Sequence, residues 1–121
     1  MKAFYLILGI ILFSGCSKTK SKSPEEVTQK VLESFYTRDN EMLKTYTTET
    51  GYQGLMQIQN FFIEDTETEM DFKVLQQTQE GDTAWVKCTI NYLEKPETFK
   101  LVKEDGQWKV TEKGLREKSP F

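Results

Sequence analysis

The chain has 121 residues, enough for one small domain, and 12% of them are aromatic, a generous supply of rings for a small core. It contains no histidine, which removes the commonest general base, the commonest zinc ligand and the usual partner of a nucleophilic Ser or Cys. Of the 16 Lys and Arg, Lys2, Lys18, Lys20 and Lys22 precede Ser23, whereas all 19 Asp and Glu follow it; the body of the chain is therefore about seven units negative, a sign that repels phosphate backbones and argues against nucleic acid as a partner.

The first element is a leader. Lys2 supplies one positive charge, and Phe4 to Phe13 form an apolar run interrupted only by Gly9. Ten helical residues reach about 15 Å, half of a hydrocarbon core, so residues 1–15 read as a signal peptide and not as a membrane span. Ser14 and Gly15 then precede Cys16. The string Leu12-Phe13-Ser14-Gly15-Cys16 resembles the lipobox of bacterial lipoproteins, with Phe13 where that family usually has Leu. The resemblance implies cleavage before Cys16 and lipidation of its sulfur. At about 0.8 kcal/mol per buried CH₂, two or three acyl chains anchor the protein to a membrane without spanning it. Residues 16–22 carry the lipidated cysteine and a small, polar, basic stretch suited to a flexible tether. In the lipoproteins that this lipobox resembles, some lineages use an acidic run after the cysteine to reach the cell surface; none follows Cys16, so the resemblance implies a bacterial cell-envelope protein facing the periplasm from the outer membrane.

The domain proper is expected over residues 23–113. Ser23-Pro24-Glu25-Glu26 holds a capping serine, a first-position proline and a glutamate placed to close a capping box. Val27, Val31, Leu32 and Phe35 follow at helical spacing and predict a helix over 24–37. Asp39 or Asn40 opens a short second helix bearing Met42, Leu43 and Tyr46. After Gly51 a third is predicted over 52–63, with Leu55, Met56, Ile58 and Phe62 facing inward.

The apolar period then changes to two. Met70, Phe72 and Val74 alternate with polar residues, as do Ala84, Val86, Cys88, Ile90 and Tyr92, then Phe99 with Leu101, then Trp108 with Val110. Asp105-Gly106 as a two-residue turn would pair Leu101 with Val110 and Lys103 with Trp108. A four-residue loop at Glu94–Glu97 would pair Tyr92 with Phe99 and Ile90 with Leu101. A three-residue loop at Glu80-Gly81-Asp82 would pair Phe72 with Ile90 and Val74 with Cys88. All three hairpins put their apolar residues on one side, and a one-residue slip anywhere would flip a strand. The fold class is therefore α+β: N-terminal helices packed on one face of a four-stranded antiparallel meander. Residues 114–121 form a polar C-terminal tail.

Helices opening on Ser-Pro-Glu-Glu-Val, followed by a meander closing on Asp105-Gly106-Gln107-Trp108-Lys109-Val110, resemble the cone-shaped, cystatin-like domains of the nuclear-transport-factor-2-like superfamily. The resemblance is closest to short uncharacterised bacterial lipoproteins that carry such a domain. It implies a fold and leaves the activity open, since the superfamily holds isomerases and dehydratases as well as carriers and adaptors.

Several residues are candidates for function. Tyr46, Phe62, Tyr92, Phe99 and Trp108 should converge between helices and sheet, as packed core or as the lining of a pocket. Trp85 falls on the outer face with Leu75 and Leu93 near it; the resemblance implies dimerisation or partner docking there. Cys88 faces inward and reads as a small buried hydrophobe. Glu64, Asp65, Glu67, Glu69 and Asp71 are acidic but lack the turn glycine of a calcium loop, and the last three should point away from the core beside Thr89 and Asn91. No catalytic, cofactor or metal residue is assigned. The expectation is a non-enzymatic module binding a small apolar ligand or an envelope protein, with assembly through the outer sheet face as the alternative, and an isomerase- or dehydratase-like enzyme last.

Overall fold

The computed structural model describes residues 22–62 and 69–121, and of Phe62 only the backbone. The signal segment, Cys16, most of the tether and the acidic residues Glu64, Asp65 and Glu67 lie outside the described residues. Three helices come first: α1 (Pro24–Thr37), α2 (Asn40–Thr45) and α3 (Glu49–Phe62). Strands β1 (Phe72–Glu80), β2 (Thr83–Ile90), β3 (Glu97–Glu104) and β4 (Gln107–Thr111) follow as an antiparallel sheet in chain order. The α+β architecture predicted from the sequence is the one observed. Among the described residues no helix is long and apolar enough to cross a membrane.

Helix α1 starts on a complete capping box. The Glu26 amide donates to Ser23 Oγ at 3.2 Å, and the Ser23 amide donates to Glu26 Oε1 at 3.1 Å. Such a cap is worth about 1 kcal/mol, less than one buried Val or Leu at about 1.5–3 kcal/mol. Burial of Val27, Val31, Leu32 and Phe35 therefore holds the helix, and the box sets where it begins. Thr28 and Ser34 share the buried face because each hydroxyl donates to a carbonyl four residues back, Pro24 O and Lys30 O, at 2.8 Å. Asp39 caps α2 by accepting from the Met42 amide, and α2 drives Leu43 into the core with no exposed surface.

Helix α3 begins three residues earlier than expected and takes in Gly51. That glycine reads from sequence as a breaker, but here it permits a close approach: a Cβ would stand 2.8 Å from Val110 O and 3.1 Å from Thr111 Cα. The helix start is bonded to β4 as well. The Thr48 amide donates to Val110 O, the Val110 amide donates to Tyr46 O, and Thr48 Oγ1 donates to Thr111 Oγ1 at 2.8 Å. These bonds occupy the free edge of β4 at Val110.

The buried face of α3 is also rotated from expectation. Tyr52, Leu55 and Met56 pack on the core and Gln59 is fully buried, whereas Ile58, expected inward, is exposed. Gln59 occupies that place because the end of α1 needs its amide. Arg38 turns left-handed (φ 60°), the Asp39 amide turns back to Ser34 O, and Gln59 Nε2 donates to Phe35 O at 2.8 Å.

The β3–β4 hairpin has the predicted register, with Leu101 opposite Val110 and Lys103 opposite Trp108. Asp105 and Gly106 both take positive φ, as a type I′ turn requires. The β1–β2 pairs Phe72–Ile90 and Val74–Cys88 are also as predicted, but they are reached differently. The turn is the two-residue Gly81-Asp82, and a bulge between Val74 and Gln76 restores the inward facing.

The β2–β3 register differs from expectation. Ala84 lies opposite Leu101 and Val86 opposite Phe99, a slip of six residues from the predicted Ile90–Leu101 and Tyr92–Phe99 pairs. Strand β2 stops at Ile90 because Asn91 is drawn aside: its Oδ1 accepts from the Asp71 amide and its Nδ2 donates to Glu69 O. The Leu93 amide turns back to Ile90 O, and Pro96 brings no amide to a ladder. Six is even, so every apolar residue keeps its face. The core lies between this face and the helices, where Ala84, Val86, Cys88, Ile90, Leu101, Trp108 and Val110 meet α1 and Leu43.

Candidate functional site

Four of the aromatic residues expected to converge do share one core cluster, Trp108 buried and Tyr46, Tyr92 and Phe99 packed against it, but they do not line a common pocket. Trp108 is core, 4% exposed, with Lys103 Nζ 5.2 Å from its ring centroid. Tyr46 packs against the core at the end of α2 and lends its carbonyl to β4. Phe99 lines a cleft of about 330 Å³ between β3 and the Gly51–Ile58 side of α3. The side chain of Phe62 lies outside the described residues. Tyr92, released from β2 by the turn after Ile90, packs instead on Tyr36 with ring centroids 4.8 Å apart, and Tyr36 meets Phe35 edge-on at 5.0 Å.

The Tyr36–Tyr92 pair forms part of a second cleft, of about 530 Å³, between α1, α2 and the segment entering β1. Met42 and Met70 add adaptable apolar surface, and Lys30 faces three carboxylates, Glu33, Asp39 and Glu69, around its wall. Its size suits a small organic molecule, and its two phenols can orient one. Burial, aided by the negative charge of Glu97 and by Tyr92, pushes the Tyr36 hydroxyl above its ordinary pKa. It therefore stays a hydrogen-bonding phenol at any physiological pH. Tyr36 was not among the sequence candidates. The adjacent aromatics Phe35 and Tyr36 were its signal: consecutive helical positions point about 100° apart, so burying both widens the apolar face of α1 toward α2 and the segment entering β1.

Buried polar groups elsewhere are neutral and mostly committed to the backbone. Thr28, Ser34, Thr47 and Gln59 donate to the carbonyls of Pro24, Lys30, Leu43 and Phe35. Burial, with Glu97 adding, pushes the Cys88 thiol up to about 12, so it is a protonated, poorly nucleophilic group.

On the outer face, Trp85 lies opposite Thr78 and Lys100, with Lys100 Nζ 5.9 Å from the indole centroid. Leu75 is half-exposed in the bulge of β1. Leu93, expected near Trp85, packs against the core instead. The tail returns to this face: Lys118 and Pro120 line a cleft of about 540 Å³ with Thr78 and Trp85. Glu69 and Asp71 are exposed, their backbones held by Asn91; among the described residues no group of three acidic or thiol side chains is placed to hold a metal.

No protein-family profile matches the sequence, and no curated protein matches it significantly. Solved structures do. A nuclear-transport-factor-2-like protein of unknown function from Shewanella baltica superposes with a TM-score of 0.57 at 16% identity, over 71% of this chain and 84% of that one. A protein described as a candidate nuclear-transport-factor-2-like transpeptidase from Campylobacter jejuni gives 0.58 at 15% identity, over 76% of this chain and 100% of that one. A candidate calcium/calmodulin-dependent protein kinase type II association domain from Thiobacillus denitrificans gives 0.52 at 10% identity, over 77% and 93%. Three helices on one face of a four-stranded antiparallel meander are thus the nuclear-transport-factor-2-like fold, and at these identities the likeness is one of fold.

Proposed function

We propose that this chain is a lipid-anchored envelope protein, attached through Cys16 and facing the periplasm from the outer membrane. Its nuclear-transport-factor-2-like domain binds a small, largely apolar ligand without transforming it. The observation that carries the reading is the Tyr36–Tyr92 cleft: about 530 Å³, with Met42, Met70 and the two tyrosine rings as an apolar patch for contact and a polar wall from α1 and Asp39 for orientation. The chemistry of the buried groups supports binding over catalysis. They are hydroxyls and an amide turned toward neighbouring acceptors, and a thiol held protonated. None of these moves a proton readily near neutral pH.

Native mass spectrometry of the full-length protein, extracted from its own host in mild detergent, tests this. The expected result is a non-covalent adduct on the wild type that is lost from Tyr92→Ala while the fold is kept. A wild type carrying only its covalent lipid, and binding Nile red no better than Tyr92→Ala does, overturns it.

A further inference from the structure

The outer face of the sheet has a charge unlike the rest of the domain. Lys73 on β1, Lys87 on β2, Lys100 on β3 and Lys109 on β4 occupy outward register positions on the same face as Trp85, against Glu80 and Glu104 at outward positions, so the strands make this face net positive on a body about seven units negative. Glu104 takes Lys109 at 3.6 Å. Lys100 is answered from farther along the chain. Its Nζ meets both carboxylate oxygens of Glu117 at 2.8 and 2.9 Å while remaining beside the Trp85 ring. A turn brings Glu117 there, since the Gly114 amide donates to Glu117 Oε1 and the Glu117 amide to Gly114 O, both at 3.1 Å. Pro120, three residues on, borders the same cleft as Trp85. The tail thus lies on the face with a carboxylate on the lysine and a proline bordering the cleft of the indole.

We infer that the outer face is a docking surface for an acidic extended segment of a partner protein, and that Glu117–Pro120 is a self-ligand covering it. The partner would place a Glu or Asp carboxylate on Lys100 and a proline beside Trp85, displacing the tail. Charge complementarity supplies the attraction, because a basic patch on an otherwise acidic body steers acidic chains to itself. The cover is displaceable because a partly exposed ion pair is individually weak, and it competes only through the high local concentration of a segment of the same chain. A face occupied in this way binds its partner less tightly by the fraction of time it is open. This inference concerns the side of the sheet opposite the core and does not depend on the Tyr36–Tyr92 cleft.

Full-length protein in neutral detergent micelles is titrated with a fluorescein-labelled peptide of repeated Glu-Ser-Ser-Pro. Opening the cover with Glu117→Ala is expected to tighten peptide binding about tenfold, as release of a competing self-ligand should. The same change should raise iodide quenching of tryptophan fluorescence, since Trp108 is buried and Trp85 carries the response. Adding Lys100→Ala should abolish the gain. The charge swap Lys100→Glu with Glu117→Lys should close the cover again and bind no peptide. Glu117→Gln, which keeps the side-chain shape, serves if Glu117→Ala lowers thermal stability. An unchanged peptide affinity in the opened variants sinks the inference, as does a gain that survives Lys100→Ala. Binding of the opened protein to phosphatidylglycerol vesicles in place of the peptide, or its dimerisation in sedimentation, also overturns it.

Discussion

Gly51 and Val110 meet more closely than a residue with a Cβ at position 51 would allow, the site of that Cβ lying 2.8 Å from the Val110 carbonyl oxygen. That carbonyl also accepts the Thr48 amide, so it cannot swing away without breaking the bond that starts α3. An alanine in an open helical site would be favourable by about 1 kcal/mol over glycine. Here it must push backbone against backbone, and overpacking of that kind costs about 1–3 kcal/mol. Gly51→Ala is therefore expected to lower stability by about 1 kcal/mol net, or roughly 4–8 °C in Tm. Gly54→Ala is the control: its Cβ would meet only Glu112 Oε2, at 3.8 Å, and should raise Tm. Equal effects of the two substitutions in thermal unfolding would show that the α3–β4 contact yields more easily than its geometry implies.

Gln59 offers a test of polar burial. Its Nε2 satisfies Phe35 O, while its Oε1, also buried, has no partner among the described residues. Gln59→Leu strands one acceptor and removes another, and each is worth about 1–3 kcal/mol, so the net change should stay within about 1 kcal/mol. Gln59→Glu is different. Burial would raise the new carboxyl's pKa, so the protonated form can still donate to Phe35 O at low pH, whereas the ionised form cannot. The loss should be small below about pH 4, the unfolded value, and grow as pH rises through it. Urea unfolding at pH 4 and 7 measures this; a pH-independent loss would mean that the site is wetter than its burial indicates.

Where the determinants were local, the sequence was enough. The Ser23–Glu26 box spans four residues, and Asp105-Gly106 carries its own register, so α1 and the β3–β4 hairpin could be read directly. The β2–β3 register could not, because it depends on Asn91 bonding a segment twenty residues away. Parity survived only because the slip was even. The phase of α3 was misread for a related reason: Gln59 is buried to serve the carbonyl of Phe35, a need invisible until two helices meet. The cleft was half legible. Tyr92 was singled out, but the turn that places it on Tyr36 comes from the same long-range bonds. Trp85 was placed on the outer face, while the Glu117 contact across it requires knowing where the tail returns.

Cys88 should react slowly. A thiol pushed up to about 12 from 9.0 holds about a thousandfold less thiolate at a given pH, before any shielding of its 2%-exposed side chain. In a Cys16→Ser background it is the single cysteine, so Ellman's reagent reports it alone. The expected rate at pH 8 is at least about two decades below that of the urea-unfolded chain. A native rate within tenfold of the unfolded one would point to an opening of the sheet that exposes β2.

The same substitution tests the anchor. If lipid on Cys16 holds the protein, Cys16→Ser expressed in the native host should leave the membrane fraction for the soluble one. It should also lose the mass of the acyl groups, because the tether's few lysines contribute only about 1 kcal/mol each at an anionic surface. Continued sedimentation with membranes, resistant to high salt, would assign attachment to the uncleaved leader instead.

The cover on Trp85 should open in acid. The hydrogen bond from Lys100 chiefly holds the Glu117 carboxyl below its ordinary pKa, with the Gly114 amide and the charge of Lys113 acting in the same direction. For a carboxyl shifted down, the folded contact is favoured above the unfolded value and is lost as pH falls through the lowered one. The contact is therefore expected to be intact at neutral pH and to weaken only below about pH 4, the ordinary glutamate range. Trp85 and Trp108 give separate indole N–H signals by NMR. The Trp85 signal should titrate in that window while the Trp108 signal, from a 4%-exposed ring, stays fixed until the domain unfolds. Glu117→Gln removes the titrating group and should flatten the Trp85 curve without moving the unfolding limb. A Trp85 transition that persists in Glu117→Gln would instead belong to another carboxylate near the outer face, with Glu80, which lines the same cleft, the first to substitute.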